Sequence, residues 1–197
     1  MVVESCVGLD NAPFATRLLG LLKQHAVVKR PVKLASGLLS DMYIDCRQVY
    51  FRGEAQFLLG ELFYKRMTEL EITHQQFESC GGMAMGAIPL ALALSNAAFK
   101  RGRELPGFAV RKEAKEHGIK ALIEGANAIN PGSHVLMVED VVTTASSSIR
   151  AIEAVRDVGG YVDSLFCIID RQALGREALD KIGVQLYSLF TLEHVRA

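Results

Sequence analysis

The sequence predicts an α/β protein, a mainly parallel sheet flanked by helices, with a small N-terminal α+β hood built from about the first 50 residues. Three observations predict it. Strand-like apolar runs alternate with helix-like stretches from about Phe77 onward, which is the pattern of βαβ units. The 197 residues, half of them hydrophobic and 22% charged, suffice for one sizeable core, and no linker divides them. The earliest stretch departs from the alternation and reads as one helix and two short strands.

Taken in order, Phe14, Leu18, Leu21 and Leu22 recur at helical spacing behind the start signal of Asn11 and Pro13. Val32–Gly37 and Ser40–Asp45 read as short strands joined by a Gly-containing turn. A helix is expected from about Gly53 to Met67, with Phe57, Leu58, Glu61, Leu62 and Lys65 supplying one apolar and one polar side. Strands are expected at Phe77–Cys80, Phe108–Arg111, Val135–Glu139, Val162–Ile169 and Val184–Leu189. Helices are expected at Ile88–Lys100, Ser146–Val158 and Ala173–Ile182. Residues 1–197 are read as a single domain.

Lys+Arg and Asp+Glu are both 22, a formal net charge of zero, so nothing points to a general nucleic-acid binder. Any cationic site must be local. Cys6, Cys46, Cys80 and Cys167 form no C-x-x-C pair and read as reduced thiols of a cytoplasmic protein. No signal peptide is evident, and Ala84–Phe99, with Pro89 near its start, is too short to span a bilayer and reads as a buried helix. No membrane role is expected.

The most informative stretch is His134–Ser148. An apolar run ends in the adjacent carboxylates Glu139 and Asp140, passes through Val141 and Val142, and opens into Thr143, Thr144, Ala145, Ser146 and Ser147 ahead of a helix. Open α/β sheets bind ligands at the carboxyl ends of their strands. Hydroxyls and backbone N–H groups at a helix N-terminus suit a phosphate. Carboxylates do not bind phosphate, but they accept hydrogen bonds from ribose hydroxyls or hold hydrated magnesium. One sugar phosphate would satisfy both halves. Singly, these residues are ordinary strand-end and helix-capping groups; their order favours a ligand site. A second concentration of charge, Arg111, Lys112, Lys115 and His117, follows a predicted strand. In isolation it would be a solvated loop, but it also suits a departing pyrophosphate.

The His134–Ser148 stretch resembles the signature of the type I phosphoribosyltransferases, which bind phosphoribosyl pyrophosphate (PRPP). The R-K-x-x-K-x-H-G wording of residues 111–118 is similar to the mobile catalytic loop of the orotate phosphoribosyltransferases. Ser36-Gly37, Ser40 and Tyr43-Ile44-Asp45 resemble that family's N-terminal segment, Gly81–Pro89 its pyrophosphate loop, and Asp170-Arg171-Gln172 its D-R-Q. The resemblance implies a type I phosphoribosyltransferase-like fold, its hood completed by the C-terminal end, and transfer of the phosphoribosyl group of PRPP to orotate in pyrimidine biosynthesis.

The resemblance also implies roles. Glu139 and Asp140 face the ribose hydroxyls, Thr143 to Ser147 cradle the 5-phosphate, and Val141 and Val142 also contact PRPP. Met85 and Gly86 meet the pyrophosphate. Tyr43, Ile44, Thr143 and Arg171 hold orotate, the arginine pairing with its carboxylate. The enzyme is implied to be a homodimer with shared sites, in which Arg111, Lys115 and His117 reach PRPP in the partner and Lys112 serves its own chain. Lys115 joins Glu139 and Asp140 as catalytic groups, and Mg2+, carried mainly by PRPP rather than by direct protein ligands, is the expected cofactor. The chain departs from many members at Ala35 and from some at Gly86, where they carry lysines. A phosphoribosyltransferase for another base, a PRPP-sensing regulator and a general sugar-phosphate module are the rival readings.

Overall fold

The computed structural model of the chain describes residues 12–33, 39–113 and 122–196. Helix α1 (Ala12–His25) buries Ala15, Leu18, Leu21 and Leu22, the stripe its periodicity requires. It leads into β1 (Val27–Lys33), which pairs antiparallel with β2 (Leu39–Ile44), the register shifting between Lys29 and Val32. The first hood strand thus begins five residues before the expected Val32; the charged Lys29-Arg30 and Pro31 hid it from a periodicity reading. The expected Gly37 turn lies outside the described residues.

A short helix α2 (Arg47–Tyr50) precedes α3 (Gly53–Glu71), which runs one turn beyond the expected Met67 and buries Leu58, Leu59, Leu62, Phe63, Met67 and Leu70. Phe57, assigned to the helix's apolar side by spacing, is exposed.

The body is a six-stranded sheet of β3 (Ser79–Met83), β4 (Gly107–Val110), β5 (Ile123–Glu124), β6 (His134–Val142), β7 (Tyr161–Asp170) and β8 (Gln185–Thr191), in the spatial order β5-β4-β3-β6-β7-β8. All neighbours are parallel except the β4–β5 pair at one edge. Helices α4 (Ala87–Phe99), α5 (Ser146–Asp157) and α6 (Gly175–Asp180) alternate with the strands, and α7 (Leu192–Arg196) packs on α1.

Alternating side chains divide the core. On β6 and β7, Leu136, Val138, Phe166 and Ile168 join the cluster containing α1, α3 and α4. Val135, Met137, Leu165 and Cys167 join the one containing α5 and α6. This is the period-2 pattern of strands covered on both faces. Each fully buried large apolar side chain contributes roughly 1.5–3 kcal/mol. Cys46, Cys80 and Cys167 are buried free thiols, and among the described residues no helix is long and apolar enough to cross a membrane.

Strand order reverses direction at β3: the chain steps from β3 to β4 on one side and later returns to β6 on the other. In open α/β sheets that reversal leaves a crevice beyond the strands' carboxyl ends.

Candidate active site

Two adjoining cavities occupy this crevice. One, of about 300 Å³, is lined by Tyr43, Ile44, Asp140, Val141, Thr143–Ser148 and Arg171. The other, of about 490 Å³, is lined by Tyr43–Arg47, Tyr50, Met83–Gly86, Lys112, Glu139–Val141 and Ser147. Asp140 borders both. Most of the residues expected from the sequence therefore come together around one carboxylate.

Strand β6 continues to Val142, so the acidic pair sits inside the strand, not at its last residue. Neighbouring strand residues face opposite sides, and the two carboxylates have different surroundings. Glu139 is buried on the α5 side. Its Oε2 accepts from the hydroxyls of Ser148 at 3.1 Å and Ser147 at 3.4 Å. Burial first, and then the charge of Asp140, push Glu139 up to about 8. Asp140 turns to the cavities, and burial raises it above its ordinary value. Its Oδ1 accepts the Val141 N–H at 2.8 Å.

The hydroxyl loop follows. Ala145 caps α5 at φ 59°, a left-handed conformation that costs a residue with a Cβ about 1–2 kcal/mol. Thr143, Thr144, Ser146 and Ser147 line the smaller cavity at the N-terminus of α5, where backbone N–H groups lack helical partners. Val142, expected to contact PRPP, lines neither cavity. Its side chain is buried in the core, because alternation turns it inward, and its carbonyl accepts the Arg171 N–H at 3.0 Å.

That hydrogen bond helps set the turn carrying Arg171. Asp170, buried at the end of β7, accepts the Gln172 N–H at 2.7 Å and the Arg176 guanidinium at 3.0 Å. Arg171 is presented to the smaller cavity opposite Ile44, which is buried, and Tyr43. Burial, followed by the nearby charge of Arg196 from α7, lowers its pKa. Two arginines are thus gathered near a cavity in a neutral protein, a setting that favours an anion.

The glycine-rich stretch needs correction. Gly81 and Gly82 lie in β3, not in a loop. A Cβ on Gly81 would meet the Phe108 carbonyl at 2.5 Å, and one on Gly82 would overlap the Val138 carbonyl. They permit close strand packing and are not positioned to offer amides to an anion. Met85 and Gly86 do reach the larger cavity, and a Cβ on Gly86 would come within 3.0 Å of the Asp140 carboxylate.

Of the basic loop, Arg111 pairs with Glu124 at 2.8 Å, away from both cavities. Lys112 lines the larger cavity, and its carbonyl accepts from Arg150 at 2.9 Å. Lys115 and His117 lie outside the described residues, as does Ala35.

Sequence reasoning gave no site role to Ser148, Asp170, Arg47 or Tyr50. Tyr50 is only 1% exposed yet borders the larger cavity. The Asp45-x-Arg47 spacing was the available signal for Arg47.

No family model matches the chain. It is 40% identical over 182 residues to the orotate phosphoribosyltransferase of Aquifex aeolicus, covering 91% of this chain and 96% of that protein. Among solved structures, it resembles Mycobacterium tuberculosis orotate phosphoribosyltransferase in complex with Fe(III) dicitrate, with 36% identity and a TM-score of 0.78 over 94% of this chain and 100% of the other. The PRPP complex of the M. tuberculosis enzyme gives 29% identity and a TM-score of 0.74, covering 93% of this chain and 92% of that one.

Proposed function

Because the chain belongs to the orotate phosphoribosyltransferase family, we propose that the two cavities around Asp140 hold PRPP and orotate in contact and join them. The protein is a pentosyltransferase of pyrimidine biosynthesis, converting orotate and PRPP to orotidine 5'-phosphate and pyrophosphate. The observation that carries the site assignment is the meeting, in one cavity, of a hydroxyl-rich helix N-terminus, a sheltered carboxylate and an arginine.

In this reading Thr143–Ser147 receive the 5-phosphate. Asp140, with Glu139 behind it, accepts hydrogen bonds from the ribose hydroxyls, and the negative charge favours cation-like character on the ribose. A ring nitrogen of orotate, giving up its proton to solvent, bonds to the anomeric carbon as the carbon–oxygen bond to pyrophosphate breaks, the oxygen keeping the electron pair. Arg171 forks the orotate carboxylate, and Tyr43 and Ile44 flank the ring. Met85, Gly86 and Lys112 receive the pyrophosphate. Positioning and electrostatics supply most of the catalysis.

Magnesium fits as a passenger of PRPP. Asp140, water and diphosphate oxygens would make the hard oxygen set that this ion prefers. When bound, it would neutralise charge on the leaving group. In this reading the enzyme is a cytoplasmic homodimer, with Arg111, Lys115 and His117 acting in the partner's site. Orotidine 5'-phosphate formation from orotate and PRPP tests the function, with adenine, uracil and hypoxanthine as controls. Turnover of a control base but not orotate would overturn it.

A further inference from the structure

The larger cavity presents an electrostatic problem. Among the described residues its lining includes the carboxylates Asp45 and Asp140 and the cations Lys112 and Arg47, with Glu139, kept largely neutral by burial, behind Asp140. An anion as dense as diphosphate is repelled by such a wall unless cations are held in the right place. Lys112 provides one, at the end of β4. Arg47 stands on another side, in the segment after β2, and has no role in the fold's core: its side chain is 55% exposed.

Despite that exposure its guanidinium is tightly fixed. Nε donates to Asp45 Oδ1 at 2.6 Å, Nη2 to Asp45 Oδ2 at 3.1 Å, and Nη2 to the Tyr43 hydroxyl at 3.4 Å. Asp45 is itself surrounded by donors, accepting the Arg47 N–H at 3.2 Å and the Gln48 side-chain amide at 3.3 Å. Its charge is therefore shared among several groups, so Arg47 keeps part of its field. Among the described residues Nη1 makes no hydrogen bond, which leaves donors on the edge away from Asp45. That field reaches the cavity, since the charge of Arg47 acts to lower the Asp140 carboxyl. A planar fork with one side clamped and the other open is pre-organised for a phosphoryl oxygen.

We propose that Arg47, clamped by Asp45 at the rim of the larger cavity, is a binding residue for the diphosphate of PRPP and for product pyrophosphate, with Asp45 as its positioning residue. The inference rests on the assignment of this cavity to PRPP. Arg47 also ties the diphosphate side of the cleft to Tyr43 on the orotate side.

The test is steady-state kinetics of Arg47→Ala, Arg47→Lys and Asp45→Asn, with calorimetric titration of magnesium pyrophosphate into each folded protein. Arg47→Ala should raise the PRPP KM and weaken pyrophosphate binding roughly tenfold, with the orotate KM within about twofold of wild type. Arg47→Lys should recover part of the loss, and Asp45→Asn should show a smaller rise in the same two quantities. Unchanged PRPP KM and pyrophosphate affinity in folded Arg47→Ala would overturn the proposal. So would equal rises in both substrates' KM, which would mark Arg47 as a prop for the Tyr43–Ile44 segment. If Arg47→Ala does not fold, Asp45→Asn decides by the same criteria. Wild-type protein inactive with orotate and PRPP would instead refute the functional reading, and the calorimetry would still decide the role of Arg47.

Discussion

Replacing Arg171 by alanine separates the two substrates. The residue stands on the turn after β7, braced by Asp170 and by the Val142 carbonyl, and it opens into the smaller cavity beside Tyr43 and Ile44. Its surroundings are partly desolvated, and the charge of Arg196 adds to the positive potential. A carboxylate bound there keeps most of the interaction that water would otherwise screen. Losing a hydrogen bond to a charged group costs about 1.5–3 kcal/mol, or roughly ten- to 150-fold at 1.36 kcal/mol per decade. Arg171→Ala should therefore raise the orotate KM by that factor, while the PRPP KM changes by no more than about twofold. Initial rates with each substrate varied in turn provide the measurement, with circular dichroism to confirm the fold. Arg171→Lys should recover only part of the loss, since an ammonium cannot fork a carboxylate. An unchanged orotate KM, or a PRPP KM that rises as much, would refute the placement of the carboxylate at Arg171.

Three other outcomes are expected. Ala145→Gly relieves the φ of 59° and should stabilise the fold by about 0.5–1 kcal/mol after the glycine's entropy in the unfolded chain is counted, a Tm rise of roughly 2 °C; a lower Tm would contradict the strain. Glu139 is held above its ordinary value of 4.5, at about 8, so its proton stabilises the ligand-free fold fully below 4.5 and that contribution disappears as pH rises through about 8. Denaturant unfolding should show stability falling across this window, and Glu139→Gln should flatten the fall; an equally steep decline in the variant would assign it elsewhere. Finally, if sites are shared across a homodimer, mixing inactive Lys115→Ala and Asp140→Asn proteins under subunit exchange should restore about a quarter of wild-type activity; no recovery with exchange confirmed by a tagged-subunit pull-down would mean that each loop serves its own chain.

The legible parts of the fold were those where one physical signal dominated. The apolar run before Glu139, the hydroxyl-rich turn and the amphipathic helix after it placed β6, the loop and α5 within three residues of their observed bounds. The edge strand β5 has two residues, too few for any periodicity. Gly81 and Gly82 were misread because glycine usually marks a loop; here close approach of the Phe108 and Val138 carbonyls, a long-range fact, keeps these two positions of β3 free of Cβ atoms. The site was legible as a set of residue types but not as a geometry. Ending the strand at Glu139 hid the consequence of its continuing to Val142, namely that the two carboxylates face different sides. Arg47 was overlooked for a related reason: the Asp45-x-Arg47 spacing suggests an ion pair, but the cavity that Arg47 borders is not contained in a reading of local sequence.

The adjacency of Glu139 and Asp140 follows from what a parallel strand can do at a sheet's point of reversal. One side of β6 faces α5, and a carboxylate there can accept from Ser147 and Ser148, tying the start of that helix to the strand. The other side faces the crevice, where the Asp140 carboxylate, held by the Val141 N–H, borders both cavities. In the proposed site two successive residues would serve one ligand by different routes, Glu139 by fixing the turn before α5 and Asp140 by direct contact with the sugar. Both lie where burial raises their pKa, so the ligand-free site carries an electrostatic penalty that hydroxyl donors and a developing positive charge relieve. A ground-state anion gains nothing from that field, whereas a cation-like ribose does. On the proposed assignment, discrimination between ground and transition states would be built into the strand, while the loop and the arginines would hold the anionic ends of the substrates.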